Sequence, residues 1–123
     1  MKSLDPENFV RALEKSVRDP AVSNAVSVMT RPPGRKPPER LVALATWYSG
    51  LDEQDRLMLR AALKLVADSA LFGFLCVLDG ARAIESGDNK GEFRLLYLNG
   101  ADTERCLSGP GKPLLHEFFQ KAE

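Results

Sequence analysis

The sequence predicts an α+β protein that is mostly helical, with four to five helices and a small antiparallel β-hairpin or meander near the C-terminus. Before Gly80, apolar residues recur every three to four positions, which is the spacing of amphipathic helices. Beyond it the pattern changes to alternation, and residues 92–98 read EFRLLYL ahead of the turn pair Asn99–Gly100. The 123 residues are 44% hydrophobic, which suits a single domain with its own core.

The N-terminal part, residues 1–29, is predicted to contain two helices. Asp5 is suited to cap the first, with Pro6 in its first turn. The pair Asp19–Pro20 is expected to end this helix and to start another. The second helix would carry an apolar face formed by Val22, Ala25, Val26 and Met29. The alternation in AVSVM would also fit a strand, so that alternative stays open.

Residues 30–40, TRPPGRKPPER, form the one segment of unusual composition. Its four prolines exclude a continuous helix and favour extended polyproline backbone. Four cations lie among them: Arg31, Arg35, Lys36 and Arg40. Because proline already stiffens the chain, these cations would need little ordering to bind an anion or a protein partner. The alternative interpretation is a stiff connector whose charges are only solvated.

Residues 41–80 are predicted to form a central helical hairpin. Its first helix opens at Pro38 and runs to about Tyr48, where Ser49–Gly50 is expected to stop it. Trp47 lies at the edge of the inner face. An indole in this position would either cover the core edge or mark a binding surface.

The central helix of that hairpin is the longest apolar stretch in the chain. Asp52 is suited to cap it, and Gly80 to stop it after Leu78 in the left-handed conformation. A strand over Leu71–Leu78, or a bend at Gly73, is the alternative. The predicted inner face comprises Met58, Leu59, Ala62, Leu63, Leu65 and Val66. The predicted solvent side comprises Arg56, Arg60, Lys64 and Asp68. The uncharged run from Ser69 to Leu78 is expected to be buried on all sides, since it is too short to span a membrane.

Residues 81–123 are predicted to supply the β-hairpin and a C-terminal helix. Strands are expected over residues 92–98 and 103–107, and a third could begin at residues 81–85. Pro113 is expected to open the last helix, whose inner face would comprise Leu114, Leu115, Phe118, Phe119 and Ala122. His116 falls on the opposite face of that helix.

Composition limits the function classes. Lys plus Arg and Asp plus Glu both number 17, so the net charge is zero, and general nucleic-acid or membrane-surface binding is not expected. The start, MKSLDPENF, has no apolar signal region, which predicts a cytoplasmic protein. Cys76 and Cys106 are accordingly expected to be reduced cysteines. No spacing of ligands predicts a metal site or a cofactor.

Few residues could carry catalysis. A nucleophilic cysteine–histidine pair could form between Cys106 and His116, which a short loop separates. Against this, the helical wheel directs His116 away from the core. Asp79, at the end of the apolar run, could be a buried functional carboxylate or could serve the turn at Gly80.

Three segments resemble a group of small bacterial proteins of uncharacterised function: RPPGRKPPERLVALATWYSGLDEQDR, ALFGFLCVLDGARAIE and PLLHEFF. The likeness covers most of the chain after Thr30. Some such small cytoplasmic proteins look like immunity proteins of toxin systems, which act by blocking a partner. The resemblance therefore implies a protein partner, and it assigns no site residue.

Three functional hypotheses follow. The first is a protein-binding module of the immunity or adaptor kind, which contacts a protein partner or a second copy of itself. Its binding residues would be Arg31, Arg35, Lys36, Arg40 and Trp47. The second is a small enzyme that uses Cys106 and His116. The third is a purely structural or self-associating protein.

Overall fold

The chain forms three helices and one two-stranded antiparallel hairpin in the computed structural model, which describes residues 4–100 and 103–123. The predicted combination of helices with a hairpin near the C-terminus is therefore confirmed. The predicted number of four to five helices is wrong. The two expected N-terminal helices are one, and the expected C-terminal helix is a single turn.

The first helix, α1, is continuous over residues 6–30. It consists of α-helical Pro6–Leu13, a π-helical turn Glu14–Arg18 and α-helical Asp19–Thr30. Pro20 does not end it, although proline lacks an N–H and its ring clashes with the carbonyl four residues earlier. In the π turn the amide of Asp19 instead donates to the carbonyl of Glu14, five residues earlier. This wider turn accommodates the proline.

The second helix, α2, spans Glu39–Ser49. It begins at the end of residues 30–40, which we call the Pro/Arg segment and whose cations are exposed. It packs mainly against the Asp19–Thr30 part of α1, which in turn packs against the third helix. The predicted helical hairpin therefore does not form as two helices lying side by side. The two helices meet at their turn, where Arg56 donates to the carbonyls of Tyr48 and Ser49, both at 3.2 Å.

The third helix, α3, spans Glu53–Leu78 and is about 39 Å long. Asp52 caps it by accepting the amide of Asp55 at 2.8 Å. Gly80 follows its end with a φ of +77°, as the left-handed stop requires. The predicted cap, length and stop are confirmed, and no strand or break interrupts the helix.

The hairpin pairs β1, Leu95–Asn99, with β2, Thr103–Ser108. A bulge lies at the start of β1, so that Leu95 faces Ser108 while the next residue faces Cys106. The extra residue, Leu107, is buried.

The predicted third strand does not form. Residues 81–85 are exposed and irregular. At the hairpin turn Gly100 has a φ of +73°, and the residues that complete the turn, 101 and 102, lie outside the described part of the chain.

The C-terminal segment forms one 3₁₀ turn, Leu115–Phe118, followed by Phe119 in an extended conformation and by residues 120–123 without regular secondary structure. The predicted helix from Pro113 is wrong because side chains of other elements take the backbone groups that a helix would use. Carboxylates accept the amides of Leu115, His116, Gln120 and Ala122.

The main hydrophobic cluster lies around the second half of α3. Its buried centre, Val10, Leu71, Leu75 and Leu115, joins α1, the second half of α3 and the 3₁₀ turn. Residues 53–67 of α3 include no buried side chain. The first half of the longest helix therefore lies outside the core.

Candidate functional site

The Pro/Arg segment is as exposed as its composition predicts. Arg31, Arg35, Lys36 and Arg40 are all exposed, and none forms an ion pair within residues 4–100 and 103–123. Trp47 is also exposed, two helical turns or about 10 Å beyond Arg40 on the same side of α2. Arg40 and Trp47 therefore share one side of α2, and a role of these residues and of the loop in binding stays a prediction.

His116 is held by Asp79, with 2.8 Å between the His116 Nδ1 and the Asp79 Oδ2 atoms. The ring is mostly buried and meets Phe72 edge to face, with 5.7 Å between the ring centroids. The prediction that His116 faces away from the core is wrong, because it belongs to a 3₁₀ turn that begins on Asp79. With Nδ1–H donating to Asp79, the other ring nitrogen of a neutral imidazole is an acceptor.

Asp79 is a buried carboxylate with four donors. Its side chain is 1% exposed and accepts the amides of Leu115 and His116, both at 2.8 Å. The His116 ring and the Ser108 hydroxyl, at 3.3 Å, complete the set. These hydrogen bonds offset the cost of burying the charge. They also tie the end of α3 to β2 and to the C-terminal turn.

The two catalytic candidates do not contact each other through a hydrogen bond in the described structure. The Cys106 thiol donates to the carbonyl of Ser108 at 3.2 Å, while His116 pairs with Asp79. The single proton of the Ser108 hydroxyl is shared between Asp79 and the carbonyl of Leu78, both at 3.3 Å, and neither bond involves the imidazole. The cluster thus orients a histidine without presenting an aligned nucleophile.

Among residues 4–100 and 103–123, no group of three or more His, Cys, Asp or Glu side chains could hold a metal ion.

A second cluster of charge lies between α1 and α3. We call it the charged clamp; it consists of Arg11, Glu14, Arg18, Lys64 and Asp68. Glu14, Arg18 and Asp68 are buried, and Arg18 lies 3.3 Å from Asp68. The clamp holds the C-terminal segment by its main chain, as Glu14 and Asp68 accept amides and the three cations donate to carbonyls.

Sequence reasoning missed the charged clamp, because it placed Lys64 and Asp68 on the solvent side of α3. A signal was present in α1. Val10, Glu14 and Arg18 stand four residues apart, so the two charges follow a buried valine along one line of the helix. A charge pair within such a line indicates a buried polar partner.

One long side of α3 is uncovered. This apolar face comprises Met58, Ala61, Ala62, Leu65, Val66 and Ser69. Met58, Leu65 and Val66 are 61%, 71% and 66% exposed. The predicted inner face is therefore wrong at Met58, Leu65 and Val66, whereas Leu59 and Leu63 are partly buried. Lys64 and Asp68, on the neighbouring side of the helix, hold the C-terminal segment. The expected burial of Ser69 to Leu78 on all sides is also wrong, because Phe74 is exposed.

The chain exposes far more surface than its mass requires. Its accessible area is 9037 Å². A monomeric protein of 13.6 kDa is expected to expose about 6,600 Å². The excess is spread over the apolar face of α3, the outer side of α2 and the irregular residues 81–94.

Helix α3 is long and apolar enough to cross a membrane, judged by length and composition alone, and 22% of its most apolar stretch is buried. Lys64 and Asp68 lie within this helix and bind the C-terminal segment. Its first turn carries Glu53 and Asp55.

No protein-family model, curated protein or solved structure matches this chain. The resemblance to small bacterial proteins stays a prediction, and the function is inferred from the surfaces and clusters described above.

Proposed function

We propose that this protein is a binding module that acts through protein–protein contacts, and that the partner at the apolar face of α3 is a second copy of the chain. The supporting observation is the uncovered, uncharged side of α3. Its most exposed side chain is Leu65, which is 71% exposed. A helix on the surface of a soluble monomer usually carries charged residues on its solvent side. An apolar patch of this kind is typical of an interaction site.

The exposed area supports a dimer. A stable interface buries about 800 Å² per partner, and obligate homodimers bury more. The accessible area of this chain exceeds the monomer expectation by roughly 2,400 Å². One contact between two copies of α3 fits within that excess and leaves the outer side of α2 uncovered.

The helix also favours an antiparallel pairing. Met58, Leu65 and Phe72 stand seven residues apart, which places them on one side of α3. In a two-fold arrangement centred on Leu65, the acidic first turn of each helix would lie near the C-terminal half of the other. A parallel pairing would instead bring the two acidic starts together. The small residues Ala61, Ala62 and Ser69 would let the helices approach closely.

A membrane fits this face less well than a second copy does. Lys64 and Asp68 hold the C-terminal segment against α3, so a spanning helix would take charged side chains and non-helical backbone into lipid. The zero net charge of the chain gives no repulsion between copies.

In this proposal the Pro/Arg segment and Trp47 serve a different partner. Arg40 and Trp47 lie on α2, and Arg31, Arg35 and Lys36 precede it. All five are exposed and none belongs to the apolar face of α3, so the dimer would leave them free. Each dimer would present two such surfaces to a protein partner.

Replacing Leu65 with glutamate is expected to abolish dimer formation without unfolding the monomer, because Leu65 is far outside the core. The readout is thermal unfolding, since the Tm of a dimer rises with protein concentration. The wild-type protein should show this rise and Leu65→Glu should not. The matched control is Leu98→Glu, which changes a similarly exposed leucine (68%) on β1 and should keep the rise. A wild-type Tm that is independent of concentration would contradict the proposal.

A further inference from the structure

The charged clamp recognises main chain and not sequence. Its cations donate to the carbonyls of Phe118, Gln120 and Glu123, and its carboxylates accept the amides of Gln120 and Ala122. The amide contacts fall on alternate residues, which is the period of extended backbone. Within the described structure, the side chains of Gln120 and Lys121 are exposed and form no hydrogen bond with the clamp.

One side chain of the segment adds specificity. Phe119 meets Phe72 of α3 edge to face, with 5.7 Å between the ring centroids. The Arg18 guanidinium lies 6.0 Å from the centroid of the Phe119 ring. The clamp thus combines hydrogen bonds to the main chain with a packing site for one aromatic ring.

The clamp needs an occupant. The side chains of Glu14, Arg18 and Asp68 are only 8%, 10% and 13% exposed. A buried charge that loses its partner is strongly destabilising. An equivalent segment from another molecule would restore the same hydrogen bonds, so exchange loses no contact.

The end of the segment is accessible from both sides. A cleft of about 440 Å³ lies on one side, lined in part by Glu14, Asp19 and Lys64. A second cleft lies on the other side, against Leu57 and Leu65 of α3. A competing peptide can therefore approach the last residues before the segment has left.

We infer that the charged clamp is a binding site for an extended peptide with one aromatic side chain, and that residues 118–123 are its resident, exchangeable occupant. The ligand is a peptide whose main-chain amides can donate hydrogen bonds at the first and third positions after the aromatic residue, as those of Gln120 and Ala122 do. This inference does not depend on the dimer through α3.

The test is binding of a peptide in trans to the full-length protein. The segment in cis has the advantage of a high effective concentration, so it is first weakened by Phe119→Ala. A fluorescein-labelled peptide with the sequence of residues 114–123, LLHEFFQKAE, is then titrated and followed by anisotropy. We expect saturable binding. If circular dichroism shows that Phe119→Ala is unfolded, Gln120→Pro replaces it, because proline removes the amide that Glu14 accepts.

Three modified peptides decide whether the main chain is recognised. N-methylation of the amide of Gln120 or of Ala122 removes a donor to a buried carboxylate and should weaken binding roughly tenfold or more. N-methylation of the Lys121 amide is the matched control, since that amide donates to no clamp residue, and it should leave binding within a factor of about three. The inference is overturned if the unmodified peptide does not bind, or if the Lys121 modification weakens binding as much as the other two.

Discussion

Asp79→Ala is expected to lower the free energy of unfolding by about 3–5 kcal/mol. The carboxylate is 1% exposed and accepts four hydrogen bonds, two of them from the amides of Leu115 and His116. Its loss leaves these amides buried without an acceptor and releases the C-terminal turn from α3. Urea denaturation followed by circular dichroism measures the change.

Two variants make this prediction specific. Asp79→Asn keeps one oxygen acceptor in nearly the same shape, so it should lose clearly less than the alanine variant. Asp88→Ala removes an exposed carboxylate in the irregular segment and should change stability by less than about 0.5 kcal/mol. An effect of Asp79→Ala as small as that of Asp88→Ala would show that Asp79 does not anchor the C-terminal segment.

The second large effect is expected at Arg18 and Asp68. Arg18→Met should lower the free energy of unfolding by about 3–5 kcal/mol, because it leaves Asp68 buried beside an uncharged neighbour. Asp68→Leu should be costly for the reciprocal reason. The double variant leaves neither charge unpaired, so its loss should be smaller than the sum of the two single losses by more than about 1 kcal/mol.

A double-mutant cycle on the exposed pair of Arg94 and Glu92 provides the matched control. Its side chains are both 62% exposed and lie 3.1 Å apart. The coupling energy there should be below about 0.5 kcal/mol, as for other exposed ion pairs. If the losses of unfolding free energy from the single substitutions at Arg18 and Asp68 simply add in the double variant, the two residues are not coupled, and the prediction is contradicted.

Local signals in the sequence were sufficient for the long helix. The cap at Asp52 and the glycine stop at Gly80 depend on nearest neighbours in the chain, and the structure confirms both. The hairpin followed for the same reason, since alternation and a glycine turn are local features.

The sequence could not show which side of α3 is covered. Either side of the helix could have been the inner one. One side is apolar, and the other carries charged residues next to Leu59 and Leu63 in the sequence. Hydrophobicity favoured the apolar side as the inner one. In the structure Asp68 is buried on the charged side, because the amide of Ala122, 54 residues further along the chain, donates to its carboxylate.

The same distant partners explain the C-terminal segment. Leu114, Leu115, Phe118 and Phe119 show helical spacing, yet only one 3₁₀ turn forms. Buried carboxylates of α1 and α3 accept amides that an α-helix would direct to its own carbonyls. The sequence of the segment alone does not show that distant carboxylates compete with its local hydrogen bonds.

The two proposed surfaces share an edge. The last residues of the C-terminal segment border a cleft that also contains Leu57 and two residues of the apolar face, Ala61 and Leu65. A peptide that replaces the segment would therefore change one border of the dimer contact. Binding at the clamp and association through α3 are expected to influence each other for this reason.

In the proposed dimer, the apolar face of α3 is covered by a second copy of the chain. Sedimentation equilibrium of the wild-type protein tests it most directly, across micromolar concentrations. We expect a particle of twice the chain mass of 13.6 kDa, which dissociates on dilution or in Leu65→Glu. A mass of 13.6 kDa at every concentration would contradict it.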